Sequence, residues 1–238
     1  MAATTPRARA RAQTMADILR IGREHLAVHG AAALSLRAVA RDLGVVSSAV
    51  YRYVANRDEL LTLLVVDAYE ELGNAVDNAV MVVDPHDAPE RFRALARAVR
   101  RWALREPARY ALLFGSPVPG YRAPAERTTE PGTRVVARLV EILTSAYADG
   151  TLRLPEPDGI PGSLHADLDR IRSETGTDLP DAALARGILL WSSLFGAVSF
   201  EVFGQYGENT FAAPDDLFEH HLAVLAETVG LTAAPAKS

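Results

Sequence analysis

Apolar residues recur every three or four positions through most of the chain, a spacing that places them on one face of an α-helix. Over residues 14–30, for example, Met15, Ile18, Gly22 and Leu26 mark such a face, and Thr14 with Asp17 resembles a capping box. The same spacing predicts helices over 35–43, 47–54, from 57 onward, 91–105, 107–114, 133–147, 182–206 and 215–229. The pattern therefore predicts an all-α fold.

Two of these helices are short and adjacent, and a turn that contains glycine joins them. Ser35 can cap the first, and Gly44 stands where a helix ends in the left-handed conformation that glycine adopts without strain. Ser47 can cap the second, which carries Val50 and Val54 on its inner face. With the preceding helix, this pair predicts a three-helix head that contains a helix-turn-helix.

The second short helix is suited to reading DNA, because small residues lead it and aromatic or cationic residues follow. Three residues are expected to face bases: Ser47, Ser48 and Ala49. Arg37 is the candidate for a bidentate guanine contact. The expected phosphate contacts are Ser35, Tyr51, Arg52, Tyr53 and Arg57. Tyr51 and Tyr53 could instead be partly core, Tyr53 more so because it lies beside Val54.

The stretch SLRAVARDLGVVSSAVYRYVANRDELL resembles the DNA-binding signature of TetR-family transcriptional regulators. The matching features are Leu43-Gly44-Val45 at the turn, Val50-Tyr51 in the second helix and Arg57-Asp58-Glu59-Leu60 at the next helix start. This resemblance implies an all-α homodimer with a DNA-binding head and a helical ligand-binding and dimerisation body. It further implies a ligand-responsive regulator, commonly a repressor that a small apolar or aromatic effector releases from its DNA operator.

The predicted divisions are a flexible basic arm (1–13), the helix-turn-helix domain (14–60), the ligand-binding and dimerisation domain (61–232) and a flexible tail (233–238). The arm carries Arg7, Arg9 and Arg11, which could lie along phosphates or could belong to a solvated tail. Residues 1–60 hold nine arginines and five acids, so the rest of the chain carries the negative charge behind the net charge of −5. A basic head on an acidic body suits DNA binding, although ordinary surface variation gives the same asymmetry.

Two stretches of the predicted body rich in Gly and Pro, 115–132 and 149–180, predict loops, with a short helix over 164–172 inside the second. Aromatic residues of the body are candidates for the wall of an effector pocket, although each could be plain core. These residues are Trp102, Tyr110, Phe114, Trp191, Phe195 and Phe200. The segment from Trp191 to Gly196 also resembles the W-x-x-L-H-G motif of one TetR subgroup, with Phe195 in place of its histidine.

The last two predicted helices carry more apolar surface than one small body needs. They predict a homodimer built on a four-helix interface, the arrangement that the family resemblance implies, unless both helices are simply core. A two-fold protein would match a palindromic operator, with its two recognition helices about one turn of DNA apart.

Several classes of function find no support in the residues. Cysteine is absent, which excludes disulfides and thiolate chemistry. There is no G-x-S-x-G, H-E-x-x-H or phosphate-loop motif, so no catalytic residue, cofactor or metal is predicted. Without a secretory signal or a long uncharged apolar run, the expected location is the cytoplasm, with no membrane partner. The alternative function is a helical interaction module on the same fold that has lost specific DNA binding.

Overall fold

The computed structural model describes residues 5–155 and 159–231, and within these ranges the protein is all-α, as predicted. The pairing of Leu152 with Leu231 is an isolated β-bridge and forms no strand in those ranges. The helices are α1 (Pro6–His29), α2 (Leu36–Asp42), α3 (Ser47–Val50), α4 (Arg57–Met81), α5 (Ala88–Arg105), α6 (Pro107–Phe114), α7 (Ala125–Ala148), α8 (His165–Thr175), α9 (Asp181–Val202) and α10 (Pro214–Val229). Short 3-10 turns occupy Ala31–Ala33 and Gly162–Leu164.

The chain forms two compact units. The head unit comprises Met1–Glu71 and Arg105–Gly132, and the body unit comprises Leu72–Leu104 and Thr133–Ser238. The predicted functional boundary at residue 60 is untested by this division and stays a prediction. The predicted tail, 233–238, lies outside the described residues.

The first helix begins earlier than its capping-box pattern predicts. Pro6 occupies the first turn, where its missing N–H costs nothing, and the Thr5 hydroxyl accepts a hydrogen bond from the Ala8 amide at 3.2 Å. The alternating Arg and Ala residues that follow are strong helix formers. Residues 6–13 of the predicted flexible arm are therefore helical, and residues 1–4 lie outside the described part.

The predicted loop over 115–132 is also shorter than expected, because α7 starts at Ala125 and continues through Pro131. Two contacts within the head unit hold this first part of the helix. Arg127 donates to Glu59 at 2.8 Å, and the ring of Tyr69 lies so close to Gly132 that a Cβ there would stand 3.3 Å from it. Tertiary contacts thus override the helix-breaking tendency of proline and glycine.

The core of the head unit is built from the faces that the apolar spacing predicted. Ile18, Val39 and Val54 are fully buried in it, together with Leu60 and Leu61 from the start of α4. Side chains from residues 112–121 pack against the same cluster, and the Thr62 and Tyr121 hydroxyls lie 3.0 Å apart. The head unit is therefore larger than three helices.

The body unit has its own core, with paired ions around it. Trp102 is buried on α5, and two bidentate pairs, Arg97 with Glu219 and Arg100 with Glu201, tie α5 to α10 and α9. α8 confirms the short helix expected in the second loop. Helix α9 is long and apolar enough to cross a membrane, but core helices of soluble proteins often have the same length and composition. In this structure 28% of its most apolar stretch is buried.

Candidate DNA-binding surface and effector-binding residues

The turn between α2 and α3 has the geometry of a helix-turn-helix. Ser35 occupies the predicted N-cap position of α2, but its side chain makes no capping hydrogen bond. Gly44 has a φ of +70°, the left-handed conformation predicted for it. The N-cap of α3 is Val46, so the expectation that Ser47 caps this helix is wrong: the extended backbone falls one residue earlier, and Ser47 is the first helical residue. Backbone hydrogen bonds from Tyr51 to Ser47 and from Val54 to Val50, both 3.1 Å, continue helical turns beyond α3.

Four of the nine side chains predicted to contact DNA are exposed on the outside of this motif, and the other five are half-buried. Arg37, Ser48, Tyr51 and Arg52 are exposed, whereas Ser35, Ser47 and Ala49 are half-buried. Within the described residues, Arg37 and Arg52 form no hydrogen bond or ion pair with the protein. Two exposed cations without partners among the described residues therefore lie on the helix-turn-helix, the surface predicted to contact DNA.

Tyr53 lies at the edge of this surface. Its ring is half-buried against the head core, in agreement with the alternative that it is partly core. The guanidinium of Arg11 stands 5.1 Å from the centre of the Tyr53 ring, a cation–π arrangement. Arg11 on α1 therefore lies beside Tyr53, one of the residues predicted to contact DNA. The helical spacing of residues 11 and 18 could have indicated this position if the arm had been predicted to be helical.

Arg57 has partners inside the head. Its Nη2 donates to the carbonyl oxygens of Ala31 at 3.0 Å and Ala32 at 3.2 Å, and its Nη1 to Asp58 at 3.4 Å. These bonds join the start of α4 to the turn that follows α1. They give Arg57 a structural role beside its predicted phosphate contact, because carbonyls offset the unfavourable position of a cation in the first turn of a helix.

A second contact inside the head joins α1 to α2. His25 Nε2 lies 2.6 Å from Asp42 Oδ2, and this hydrogen bond, with Arg41 beside it, holds the pKa of Asp42 below its ordinary value. The two residues are 17 positions apart, so neither capping nor helical spacing signals the pair. The contact fixes the end of α2 next to the turn between α2 and α3.

The six predicted pocket residues are divided between the units. Tyr110 and Phe114 contact one another in the head unit, with ring centres 5.0 Å apart, and Trp102 is buried in the body core. Trp191 and Phe195 pair on α9 at 6.3 Å, and Phe200 lies further along the same helix. Their joint role as one pocket wall stays a prediction.

A groove of about 590 Å³ runs between α9 and α10 in the body unit. Of the six predicted residues, Phe200 alone lines it. The lining is Ser193, Gly196, Ala197, Phe200, Tyr206, His220, His221, Val224 and Leu225. Among the described residues no group of His, Asp and Glu side chains could hold a metal ion, and the groove is chiefly apolar.

An all-α chain with an exposed, cationic helix-turn-helix on a buried helical core belongs to the class of helix-turn-helix DNA-binding regulators. Comparison with known proteins identifies the family. Residues 18–64 match the family model of bacterial regulatory proteins of the tetR family, and residues 92–225 match that of the tetracyclin repressor-like C-terminal domain. The chain belongs to the TetR family.

Individual relatives agree with this assignment. The chain is 48% identical over 222 residues to HTH-type transcriptional regulator Rv1816 of Mycobacterium tuberculosis, covering 92% of this chain and 94% of the relative. The crystal structure of the regulatory protein SCO4313 superposes with a TM-score of 0.77 at 38% identity, over 94% of this chain and all of that one. RolR, solved with resorcinol, shares the fold at 18% identity, with a TM-score of 0.55 over 95% of this chain and 92% of its own.

These findings confirm the resemblance seen in the sequence. The protein is a transcriptional regulator of the TetR family and not an enzyme. Regulators of this family bind DNA operators and small-molecule effectors, and act as dimers.

Proposed function

We propose that the protein is a cytoplasmic homodimeric repressor that reads a palindromic operator through α2 and α3. The exposed pair Arg37 and Arg52 carries this proposal, because neither cation has an intramolecular partner in the described chain while both lie on the helix-turn-helix. Exposed arginines on a recognition surface are suited to phosphate oxygens and guanine edges. Ser47, Ser48 and Ala49 are assigned to face bases, together with Arg37.

The roles within this surface differ by residue. Arg37 reads a base, since it stands at the first turn of α2 with a free guanidinium. Arg52 and Tyr51 hold phosphates and set the register of the protein on the duplex, with Ser35, Tyr53 and Arg57 at the margin. Each good bidentate base contact discriminates by about 1–3 kcal/mol, so Arg37 has the larger share in sequence preference.

Dimer formation is assigned to the outer faces of α9 and α10. Ile188, Leu189, Trp191 and Val224 on these two helices remain between 40% and 49% exposed in the chain, which leaves large apolar side chains open to a partner. The small residues Ser193, Gly196 and Ala197 line the groove beside them and permit close approach of a second helix pair. Symmetric pairing of these faces would give the four-helix interface predicted from sequence.

Release from DNA is assigned to a small apolar or aromatic effector. The aromatic residues of the helical body support this class of ligand, and the resorcinol complex of RolR gives an example of a small aromatic ligand on this fold. Such an effector acts only by its differential affinity for the DNA-competent and DNA-incompetent states. Moving the population from 1:99 to 99:1 requires about 5.5 kcal/mol of such preference.

Binding of the purified protein to DNA from its own upstream region tests the proposal, with random DNA of equal length as the control and salt as the variable. Selective and salt-dependent binding is expected, followed by release when phenolic or other aromatic compounds are added. Equal and weak binding to both DNAs at every salt concentration would favour the alternative, a helical interaction module without specific DNA binding.

A further inference from the structure

The N-terminal end of α1 is cationic, against the preference of a helix for acids in its first turn. Arg7, Arg9 and Arg11 fall within the first two turns, and the first acid of the chain is Asp17. All three arginines are exposed, and Arg7 and Arg9 have no hydrogen bond or ion pair with any described residue. These charges do not stabilise the helix, because cations at its N-terminal end are repelled by the helix dipole. A binding partner outside the chain would explain them.

The three arginines do not lie on the same face. At 3.6 residues per turn, Arg7, Arg11 and Ile18 fall in one row along the helix, whereas Arg9 lies on roughly the opposite side. Ile18 is fully buried in the head core, which fixes the direction of that row toward α2 and α3. Arg7 and Arg11 therefore extend the row on the side of the recognition helix, and Arg9 points away.

The position of Arg11 confirms this direction. Its guanidinium lies over the ring of Tyr53, the residue that directly follows the exposed Arg52. Arg7 is one turn further toward the N-terminus, about 6 Å along the axis. The Arg11–Tyr53 contact thus links the cationic end of α1 to the segment that carries Arg52.

We propose that Arg7 and Arg11 form a row that contacts backbone phosphates of the DNA beside the recognition helix and lengthens the footprint of the head. The proposal rests on the DNA binding proposed above. Because the row lies on a helix held by Thr5, Pro6 and the Tyr53 contact, it is ordered before DNA arrives and loses little freedom on binding. Phosphate is the expected target, since the row lies outside the residues that face the bases.

Salt-dependent binding of alanine variants tests the row. Each phosphate contact contributes about 0.9 to the slope of log affinity against log salt, so Arg7→Ala with Arg11→Ala should lower the slope by about 1.8 on selected and random DNA alike. Between 50 and 200 mM salt, wild-type affinity should then fall about twelvefold more than that of the double variant. Arg9→Ala is the matched control for the single variants Arg7→Ala and Arg11→Ala, each expected to lower the slope by about 0.9. It makes the same charge change on the same two turns but on the opposite face, and its slope should stay close to that of the wild type.

Arg11→Lys separates charge from ring stacking, because it keeps the cation while altering its contact with Tyr53. Its slope should match that of the wild type. An equal drop for Arg9→Ala and Arg11→Ala would overturn the proposal in favour of a diffuse charge effect, and an unchanged slope in the double variant would overturn it outright. Selective DNA binding by the wild-type protein separates the two proposals. If the wild type binds and the variants behave as in these contradicting results, only the arginine row is overturned. If the wild type does not bind, the proposed function fails as well.

Discussion

Replacing Arg57 by alanine separates its two roles in the head, the bonds to the carbonyls of Ala31 and Ala32 and the predicted phosphate contact. A hydrogen bond to a charged group contributes about 1.5–3 kcal/mol. Both carbonyl bonds come from the same Nη2 group and the Arg57 side chain is 31% exposed, so about 1.5 kcal/mol is assigned to the two together. Removing a cation from the first turn of α4 also stabilises the folded state by about 0.3–1 kcal/mol, because it relieves repulsion from the helix dipole. The expected net loss is therefore about 1 kcal/mol, or about 2–4 °C in Tm for a chain of this length.

Thermal unfolding and a salt series of DNA binding, measured on the same preparation, decide between the roles. If the carbonyl bonds occupy Arg57, Arg57→Ala lowers Tm and leaves the salt slope unchanged. Arg52→Ala is the converse control, since Arg52 has no intramolecular partner in the described chain: Tm should hold and the slope should fall by about 0.9. A wild-type Tm together with a reduced slope for Arg57→Ala would refute the structural reasoning.

Three further variants probe the rest of the molecule. Arg37→Ala should reduce the preference for selected over random DNA by about 1–3 kcal/mol, measured by competition binding, and an unchanged preference would remove Arg37 from base reading. Ile188→Asp should weaken the dimer at least about thirtyfold in sedimentation, because a charge replaces an apolar side chain expected to be buried there. Val28→Asp, at an exposed position of α1 in the head unit, is the control, and an equal effect of both would contradict the assigned interface. Because the pKa of Asp42 is lowered in the folded state, its carboxylate stabilises the head at pH values above the ordinary pKa of 3.8. This stabilisation is lost as the pH falls through the lowered pKa of the folded state. Between pH 6 and pH 3 the Tm of Asp42→Asn should therefore fall less than that of the wild type, and equal decreases would count against the His25 contact.

Much of the head was readable from local pattern. The left-handed Gly44 and the apolar faces of α1 to α4 depend on residues within a turn or two of one another. The resemblance to the TetR signature rested on the same stretch, which is why the family could be recognised from sequence.

Local pattern failed where a distant contact decided the outcome. The loop predicted before residue 133 is partly helix, because Tyr69 packs on Gly132 and Arg127 pairs with Glu59. The arm predicted to be flexible is helical from Pro6, although there the missed signals were local, a proline in the first turn and a threonine cap.

The sequence by itself determined the fold class, the family and the position of the recognition helix, because helical period, caps and turn glycines are short-range properties. Only the tertiary structure decided which cations are free. Arg57 binds carbonyls 26 and 25 residues away, Arg11 lies over Tyr53, and Arg37 and Arg52 remain open to solvent. Partners of this kind come from segments far apart in the chain, and only the packing of the helices brings them together.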